Sequence, residues 1–353
     1  MDIKITRTRR SRLPETDLSN LGFGEIFSDH MFSMDYADGK WQPPVIMPYR
    51  AVPFYPSMTC LHYGQAIFEG LKAFRTKSGK INIFRPDKYH ARMNRSCRRL
   101  CIPEVDYDTF LAGLTALVKT DKKWVPSGQG QSLYLRPFII ATDNFVGVRV
   151  SETYRLFIIA SPVGSYYKEG INPIKLMTSG EYVRAVKGGL GEAKTPANYA
   201  ASLLPYHEAK AHGFAQVLWL DAIEHKYVEE VGTTNIFFVI GSELITPPLD
   251  GTILSGITRD TVIELAKMWK MKISERRITI DDVIGASRAS ALKEVFGTGT
   301  AAVVSPVGQI KHGNTTITIN NNKTGPLAQK LYDTVTAIQY ADAPDDLGWN
   351  ITL

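Results

Sequence analysis

The spacing of apolar residues predicts a chain that alternates between strands and helices. A strand is predicted around Ile81 to Phe84, followed by a helix from about Pro86. A second helix is predicted from Tyr107 to Trp124, and its apolar positions are Phe110, Leu111, Leu114, Leu117 and Val118. The apolar runs "SLYLRPFIIA" and "YRLFIIASP" predict two buried strands.

The middle of the chain predicts a domain boundary. The stretch "SPVGSYYKEGINP" is rich in Pro, Gly and Ser, which is typical of a linker. We place the linker at residues 163–174, between a smaller first domain, residues 1–162, and a larger second domain, residues 175–353.

The second half also mixes helices and strands. A helix is predicted from Ala197 to His212 and ends at Gly213. Strands follow at "AQVLWLD" and "TTNIFFVI", then a helix at "TRDTVIELAKMWKM" and a closing helix from Pro326 to Tyr340. The pattern indicates a mixed α/β to α+β fold. Because no Gly-x-Gly-x-x-Gly or Walker loop is present, a Rossmann or nucleotide-triphosphate site has no motif in its favour.

Composition narrows the function classes. The net charge of +6, from 41 basic and 35 acidic residues, is mostly dispersed, and the basic clusters at Thr6–Arg12 and Arg92–Arg99 are interpreted as solvated faces. An anionic small substrate or cofactor is the alternative explanation for some of these arginines. Nucleic-acid binding is not indicated, because no basic stripe carries interleaved aromatic residues. The three cysteines have neither disulfide nor zinc spacing, so no metal is expected. With no signal peptide and no apolar run long enough to cross a membrane, the expected location is the cytoplasm.

Two loops could bind an anion. In "LSGITRDTVIEL" a Ser-Gly turn enters a helix, so the amides of Ile257 and Thr258 would be unpaired first-turn donors. In "VFGTGTAAVV" the hydroxyl groups of Thr298 and Thr300 lie beside exposed amides. An ordinary helix start and a plain glycine-rich loop explain either feature alone.

Two strands carry charged residues that need partners. Strand alternation would point one of Glu229 and Glu230 outward and the other inward, where a cationic ring nitrogen or an arginine would serve it. Tyr134 and Arg136 lie two apart on a predicted strand and therefore on one face. A substrate carboxylate or a structural acid would pair with the arginine.

The segment "VKGGLGEAKTPANYA" holds two candidate lysines. Thr195 and Pro196 form a good helix start, with Thr at the N-cap and Pro at the first helical position. Lys194 would then lie just outside the positive end of a helix, which favours a neutral, nucleophilic amine. Lys187 lies beside two glycines in a loop, with no predicted helix start next to it. A lysine nucleophile, two anion loops, an acid and a carboxylate-binding arginine together match pyridoxal phosphate.

Several motifs, taken in order along the chain, identify a family. The segments "HYGQAIFEGLKAFR", "FRPDKYHARMNRS", "LYLRPF", "EEVGTTNIFFV", "GITRD" and "FGTGTA" resemble those of the branched-chain amino acid aminotransferases. These are two-domain pyridoxal-phosphate enzymes of fold type IV, similar to the D-amino acid aminotransferases. The resemblance implies a homodimer that transfers the amino group of L-leucine, L-isoleucine or L-valine to 2-oxoglutarate, giving L-glutamate by ping-pong kinetics.

The resemblance also assigns roles to residues. Lys194, in the second domain, would hold the cofactor covalently and act as the catalytic residue. Tyr199 would form a hydrogen bond with the phenolic oxygen of the cofactor, and Glu230 would face the ring nitrogen of the cofactor. The expected phosphate ligands are Arg92, Ile257, Thr258 and Thr300. The expected substrate pocket comprises Tyr63, Phe68, Tyr134, Arg136, Tyr166, Thr233 and Ala301.

The chain departs from the family at two places. Lys-Thr-Pro-Ala-Asn-Tyr replaces the frequent Lys-x-Gly-Gly-Asn-Tyr, although the distance from Lys194 to Tyr199 is kept. Ala302 and Ser305 stand where some members carry a Cys-x-x-Cys pair, so thiol regulation is not expected there. Three alternatives stay open: a D-amino acid aminotransferase, an aminodeoxychorismate lyase, and a non-catalytic anion-binding scaffold.

Overall fold

A computed structural model of the chain describes residues 2–164 and 171–353. Contacts divide the chain into two units: Met1–Lys168, Ala193–Pro196 and Ala337–Leu353 form the first, and Glu169–Glu192 and Ala197–Thr336 form the second. The short segment with Lys194 belongs to the first unit because its backbone is hydrogen-bonded there, to Phe68. The linker at residues 163–174 stays a prediction.

The strands and helices follow one another without a regular repeat. Between residues 2 and 164 they are β1 (Lys4–Ile5), β2 (His30–Ala37), β3 (Lys40–Trp41), β4 (Val45–Pro48), α1 (Thr59–Tyr63), β5 (Ala66–Phe68), β6 (Leu71–Arg75), β7 (Ile81–Phe84), α2 (Pro86–Arg99), α3 (Tyr107–Thr120), β8 (Ser132–Ala141) and β9 (Tyr154–Val163). From residue 171 they are β10 (Ile174–Thr178), α4 (Pro196–Ala201), α5 (Leu203–Ala211), β11 (Gln216–Leu220), β12 (Val228–Val231), β13 (Asn235–Ile240), β14 (Glu243–Thr246), α6 (Ile257–Met268), β15 (Lys272–Glu275), α7 (Ile280–Arg288), β16 (Leu292–Gly299), β17 (Val303–His312), β18 (Thr315–Thr318), α8 (Pro326–Gln339) and β19 (Asn350–Thr352).

The first unit is built on one largely antiparallel sheet. Within the described residues its strand order is β1-β4-β2-β9-β8-β6-β7-β19, with β3 beside β2 and β5 beside β8. Helix α3 packs against β2 where Gly113 meets Phe32, since a Cβ on Gly113 would lie 2.9 Å from that ring. The predicted apolar stripe of this helix is buried at Phe110, Leu114 and Leu117, as the helical period requires.

The second unit is built on a separate mixed sheet. Its order, in the part of the chain that the structure describes, is β12-β11-β10-β17-β16-β13-β14-β15, with β18 beside β17. Helix α6 buries Val262, Ile263 and Leu265, as its sequence pattern predicts. The mixed α/β to α+β class is confirmed. No helix in residues 2–164 or 171–353 combines the length and the apolar character that a membrane span needs.

The single helix predicted from Ala197 to His212 is wrong. The structure has two helices, α4 and α5, interrupted at Ser202. Pro205 explains the break, because a proline has no N–H to bond the carbonyl four residues earlier, and its ring collides with that carbonyl. A new helix that begins at Leu203 places Pro205 in the first turn. There the missing N–H would have no acceptor within the helix, and the helix has no carbonyl four residues earlier for the ring to collide with.

The turn between β11 and β12 is organised by one carboxylate. Asp221 accepts backbone hydrogen bonds from Ile223, Glu224, Lys226 and Tyr227 at 2.8–3.2 Å. Partial burial alone would raise the pKa of Asp221, but these four amide donors outweigh it and lower that pKa to about 2. The turn leads directly into the strand that carries Glu230.

We expect Asp221→Asn to lower the free energy of unfolding at pH 7 by roughly 2 kcal/mol, the contribution of a hydrogen bond to a charged group, as measured by urea unfolding. A carboxyl whose pKa is lowered by folding stabilises the protein above its unfolded pKa, and the benefit is lost as the pH falls toward the folded pKa. The difference between wild type and variant should therefore shrink between about pH 4 and 2. Asp346→Asn, at an exposed aspartate, is the control; an equal effect of both changes at every pH would contradict the assignment.

Candidate active site

Lys194 is held by its backbone on both sides. Its N–H donates to Ser96 Oγ at 2.9 Å, and its carbonyl accepts from the N–H of Phe68 at 3.0 Å. Its Nζ lies over the Phe68 ring, 5.1 Å from the centroid. Lys187, by contrast, is an exposed residue of a loop. The two candidate lysines therefore have different surroundings, and Lys194 is the one held beside an aromatic ring.

One face of helix α2 supports this lysine. Ser96, fully buried, lies one turn after Arg92 and donates its hydroxyl to the Arg92 carbonyl at 3.2 Å. The Arg92 guanidinium, in turn, donates from Nε and Nη2 to the two carboxylate oxygens of Glu69, at 2.7 and 2.8 Å. Arg92 is only 3% exposed, so of the two interpretations of its basic cluster the solvated face is wrong for this residue.

Arg136 lies on the same aromatic ring as the lysine. Its guanidinium carbon is 4.8 Å from the centroid of Phe68, and its Nη2 donates to the hydroxyl of Tyr134 at 2.9 Å. Its buried Nε has no hydrogen-bond partner among the described residues. A buried guanidinium nitrogen without an acceptor is costly, so the arrangement is suited to an incoming carboxylate.

Gly70 makes the position of Tyr134 possible. A Cβ on Gly70 would lie 1.8 Å from the Tyr134 hydroxyl oxygen, which no side chain tolerates. Only glycine therefore allows the phenol to cross this backbone and reach Arg136.

In the second unit, Glu230 is a buried acid with several donors. It is 3% exposed, and its Oε2 pairs with Arg184 Nε at 2.8 Å. Asn235 donates to Oε1 at 3.0 Å and also binds the carbonyl of Leu254 at 2.8 Å. A pocket joins this acid to two other predicted residues; its lining residues are Arg184, Asn198, Tyr199, Ser202, Glu230, Gly232, Thr233 and Leu254.

The neighbouring acid, Glu229, is also buried, although alternation predicted one outward side chain. Its Oε1 accepts from the Thr252 hydroxyl at 2.6 Å, and its Oε2 has no partner among the described residues. Burial raises the pKa of Glu229. Since Glu230 pairs with Arg184 and lines the pocket, Glu230 is the better candidate for binding a cation.

The predicted anion loops meet at Asn235. Helix α6 starts at Ile257 after Gly256 and has no side-chain cap; within the described ranges, the amides of Ile257 and Thr258 find no acceptor. A Cβ on Gly256 would lie 1.9 Å from Asn235 Oδ1. On its other side Asn235 pairs in the sheet with Thr298, whose buried hydroxyl has no partner in the described chain. Uncapped amides and an unpaired hydroxyl are donors for an anion.

Other predicted site residues are less informative. Tyr63 lies on α1 and is 43% exposed, and Thr300 and Ala301 form the turn after β16. Tyr166 lies outside the described residues. Helix α4 starts at Pro196 as predicted, but the buried hydroxyl of Thr195 has no partner among the described atoms, so the expected side-chain cap is absent.

Four residues were missed. Glu69 and Asn235 lie within motifs that had been noticed, and Ser96 lies one helical turn after Arg92, so spacing could have indicated it. Arg184 is a single arginine in a loop, and no local pattern marks it.

Comparisons with known proteins show the family of the chain. The amino-transferase class IV family matches residues 66–310 of the chain. Branched-chain-amino-acid aminotransferase 2 of Bacillus subtilis (strain 168) is 53% identical over 98% of this chain and 95% of its own length. The branched-chain-amino-acid aminotransferase of Mycolicibacterium smegmatis is 47% identical over 95% of this chain and 93% of its own length.

Solved structures show the same likeness. The Escherichia coli branched-chain amino acid aminotransferase matches with a TM-score of 0.75 at 26% identity, covering 91% of this chain and 98% of that one. The branched-chain amino acid aminotransferase of T.th., solved with pyridoxamine 5'-phosphate, matches with a TM-score of 0.74 at 27% identity, covering 90% of this chain and 97% of that one. The chain therefore belongs to the class IV aminotransferases and, among them, to the branched-chain amino acid aminotransferases.

Proposed function

We propose that this enzyme transfers the amino group of L-leucine, L-isoleucine or L-valine to 2-oxoglutarate. The observation that carries the proposal is the shared ring of Phe68, with the amine of Lys194 at 5.1 Å and the guanidinium of Arg136 at 4.8 Å. An amine beside a carboxylate-binding cation, both against an aromatic wall, suits an apolar amino acid. The curated relatives, about half identical, favour this activity over the three alternatives.

The donors and acceptors described above are of the kinds that pyridoxal 5'-phosphate requires. Lys194 would hold it covalently, Glu230 and Tyr199 would bind its ring nitrogen and phenolic oxygen, and its phosphate would be bound by Arg92, Ile257, Thr258 and Thr300. When bound, the group supplies an electron sink for the bond to the substrate α-hydrogen. The uncapped amides before α6 and the buried acid held by Arg184 support this assignment.

The chain's own residues have distinct tasks in this reaction. Lys194 Nζ takes the proton from the substrate α-carbon, and its fixed backbone keeps the amine within reach. Glu230 Oε1 and Oε2 are oriented by Asn235 and Arg184, so the carboxyl group is held in place to face a ring nitrogen. Because donor and acceptor use these residues in turn, ping-pong kinetics follow.

The substrate pocket is proposed from aromatic walls and carboxylate donors. Phe68 and Tyr134 supply apolar surface in the first unit, and Tyr63 and Tyr166 are proposed to extend it. Arg136 would bind a carboxylate, with Thr233 and Ala301 as further contacts. Such walls discriminate weakly among branched side chains, by about 1–3 kcal/mol per methylene.

We also propose a homodimer, supported by an apolar patch on the first unit. The segments 54–63 and 143–150 are joined by hydrogen bonds from Phe145 N to Ser57 O and from Thr59 N to Asp143 O. Together they expose Phe54, Tyr55, Leu61, Tyr63, Phe145, Val146, Val148 and Val150, of which Val148 is 88% exposed. A patch of this kind marks an interface, and Tyr63 would lie within it.

The cytoplasm is the proposed compartment, supported by three free cysteines.

If Arg136 binds the substrate carboxylate, Arg136→Gln should raise KM for L-leucine about tenfold to a hundredfold, the ~1.5–3 kcal/mol of hydrogen bonds to a charged group. Cofactor binding should be unchanged, since only the substrate contact is removed. Steady-state assays with L-leucine and 2-oxoglutarate measure this. Arg98→Gln, at an exposed arginine, is the matched control, and an unchanged KM in Arg136→Gln would exclude the role.

If the patch is the dimer interface, Val148→Glu should convert the protein to a monomer, because the interface would bury an unpaired charge. Sedimentation velocity would then report 39.3 kDa instead of twice that mass. Ile223→Glu changes a residue that is 79% exposed in the second unit and should leave the dimer intact. A wild-type monomer, or a dimer that survives Val148→Glu, would refute the interface.

A further inference from the structure

We propose that Glu69 is the positioning residue of the phosphate site, orienting Arg92 so that its guanidinium meets the cofactor phosphate. The inference rests on the proposed role of Arg92 in phosphate binding. Glu69 itself touches neither substrate nor cofactor in this account. Its contribution reaches the phosphate only through the arginine.

The contact between these two residues fixes the plane of the guanidinium. Both carboxylate oxygens of Glu69 are used, one by Nε at 2.7 Å and the other by Nη2 at 2.8 Å. A two-point pair of this kind sets direction as well as distance. Nη1 takes no part in it. The Tyr89 ring lies 5.4 Å from the guanidinium carbon and supports it from its face.

The burial of the Glu69–Arg92 ion pair indicates that it orients the guanidinium more than it stabilises the fold. Glu69 is 0% exposed and Arg92 is 3% exposed. Such an ion pair loses two hydration shells, and replacing both partners by apolar residues is often neutral or stabilising. A chain that needed only a stable core would not require these charges here. A fixed guanidinium is useful to a ligand that carries negative charge.

The carboxylate is itself rigid. Glu69 lies between β5 and β6, and its N–H donates to the Pro137 carbonyl at 2.7 Å. Its Oε2 also accepts from the N–H of Gly70 at 3.1 Å. The preceding residue, Phe68, binds the backbone of Lys194. The orientation of the phosphate arginine and the position of the cofactor lysine are therefore set by adjacent residues.

The electrostatic alternative predicts the opposite result. If Glu69 only neutralised Arg92, its removal would leave more positive charge for the phosphate and binding would strengthen. If Glu69 orients Arg92, Glu69→Gln offers the guanidinium one side-chain oxygen where the carboxylate offered two, and phosphate binding weakens. The sign of the change distinguishes the two accounts.

The experiment compares pyridoxal 5'-phosphate with pyridoxal, which lacks the phosphate. Apo-protein of wild type and Glu69→Gln is titrated with each compound, and the dissociation constants are measured by visible absorption. Glu69→Gln should weaken binding of the phosphorylated compound about tenfold, the lower end of the loss on removing an outer partner of a metal ligand. Binding of pyridoxal should stay unchanged. In an Arg92→Gln background, Glu69→Gln should have no further effect on phosphate discrimination.

Two results would overturn the proposal: unchanged or tighter binding of pyridoxal 5'-phosphate by Glu69→Gln, or an equal loss for both compounds, which would indicate a general structural role. Glu294→Gln is the control, because Glu294 is a buried acid that accepts amides of Leu327 and Ala328, and it should leave both constants unchanged. Failure of wild type to bind either compound would instead refute the proposed function.

Discussion

The short segment from Phe68 to Gly70 fixes the groups on which the chemistry of the first unit depends. Phe68 binds the carbonyl of Lys194 through its N–H and offers its ring to the amine. Glu69 holds the guanidinium of Arg92 at two points. Gly70 leaves room for the Tyr134 hydroxyl. Since all three contacts come from consecutive residues, a shift of this backbone would move Lys194, Arg92 and Tyr134 together.

Asn235 has a comparable role in the second unit. Its amide nitrogen joins Glu230 to the carbonyl of Leu254, and its oxygen lies against Gly256 at the start of α6. Its backbone pairs with Thr298 on the other side. One asparagine thus links the acid proposed for the ring nitrogen to both loops proposed for the phosphate. Arg184 completes the support by pairing with that acid.

The sequence predicted the regular elements where periodicity was strong. Strands β7 and β8 match their predicted bounds, and α2 begins at Pro86. The single helix from Ala197 was wrong because Pro205 interrupts it. The choice of Lys194 over Lys187 rested on a helix start and a family spacing, and the structure adds the contacts with Ser96 and Phe68. Arg184 could not be predicted, because its partner lies 46 positions away and no local pattern records such a pairing.

We propose that Lys194 is the amine of the reaction, and a comparison of three proteins tests this role. Wild type, Lys194→Ala and Lys187→Ala are reconstituted with pyridoxal 5'-phosphate, and their visible spectra are recorded before and after borohydride and after L-leucine. We expect wild type and Lys187→Ala to show the visible absorption band of the cofactor bound covalently to a lysine. Borohydride should abolish this band and L-leucine should shift it. Lys194→Ala should not show the band. Loss of the band in Lys187→Ala alone, or its absence from wild type, would contradict the account.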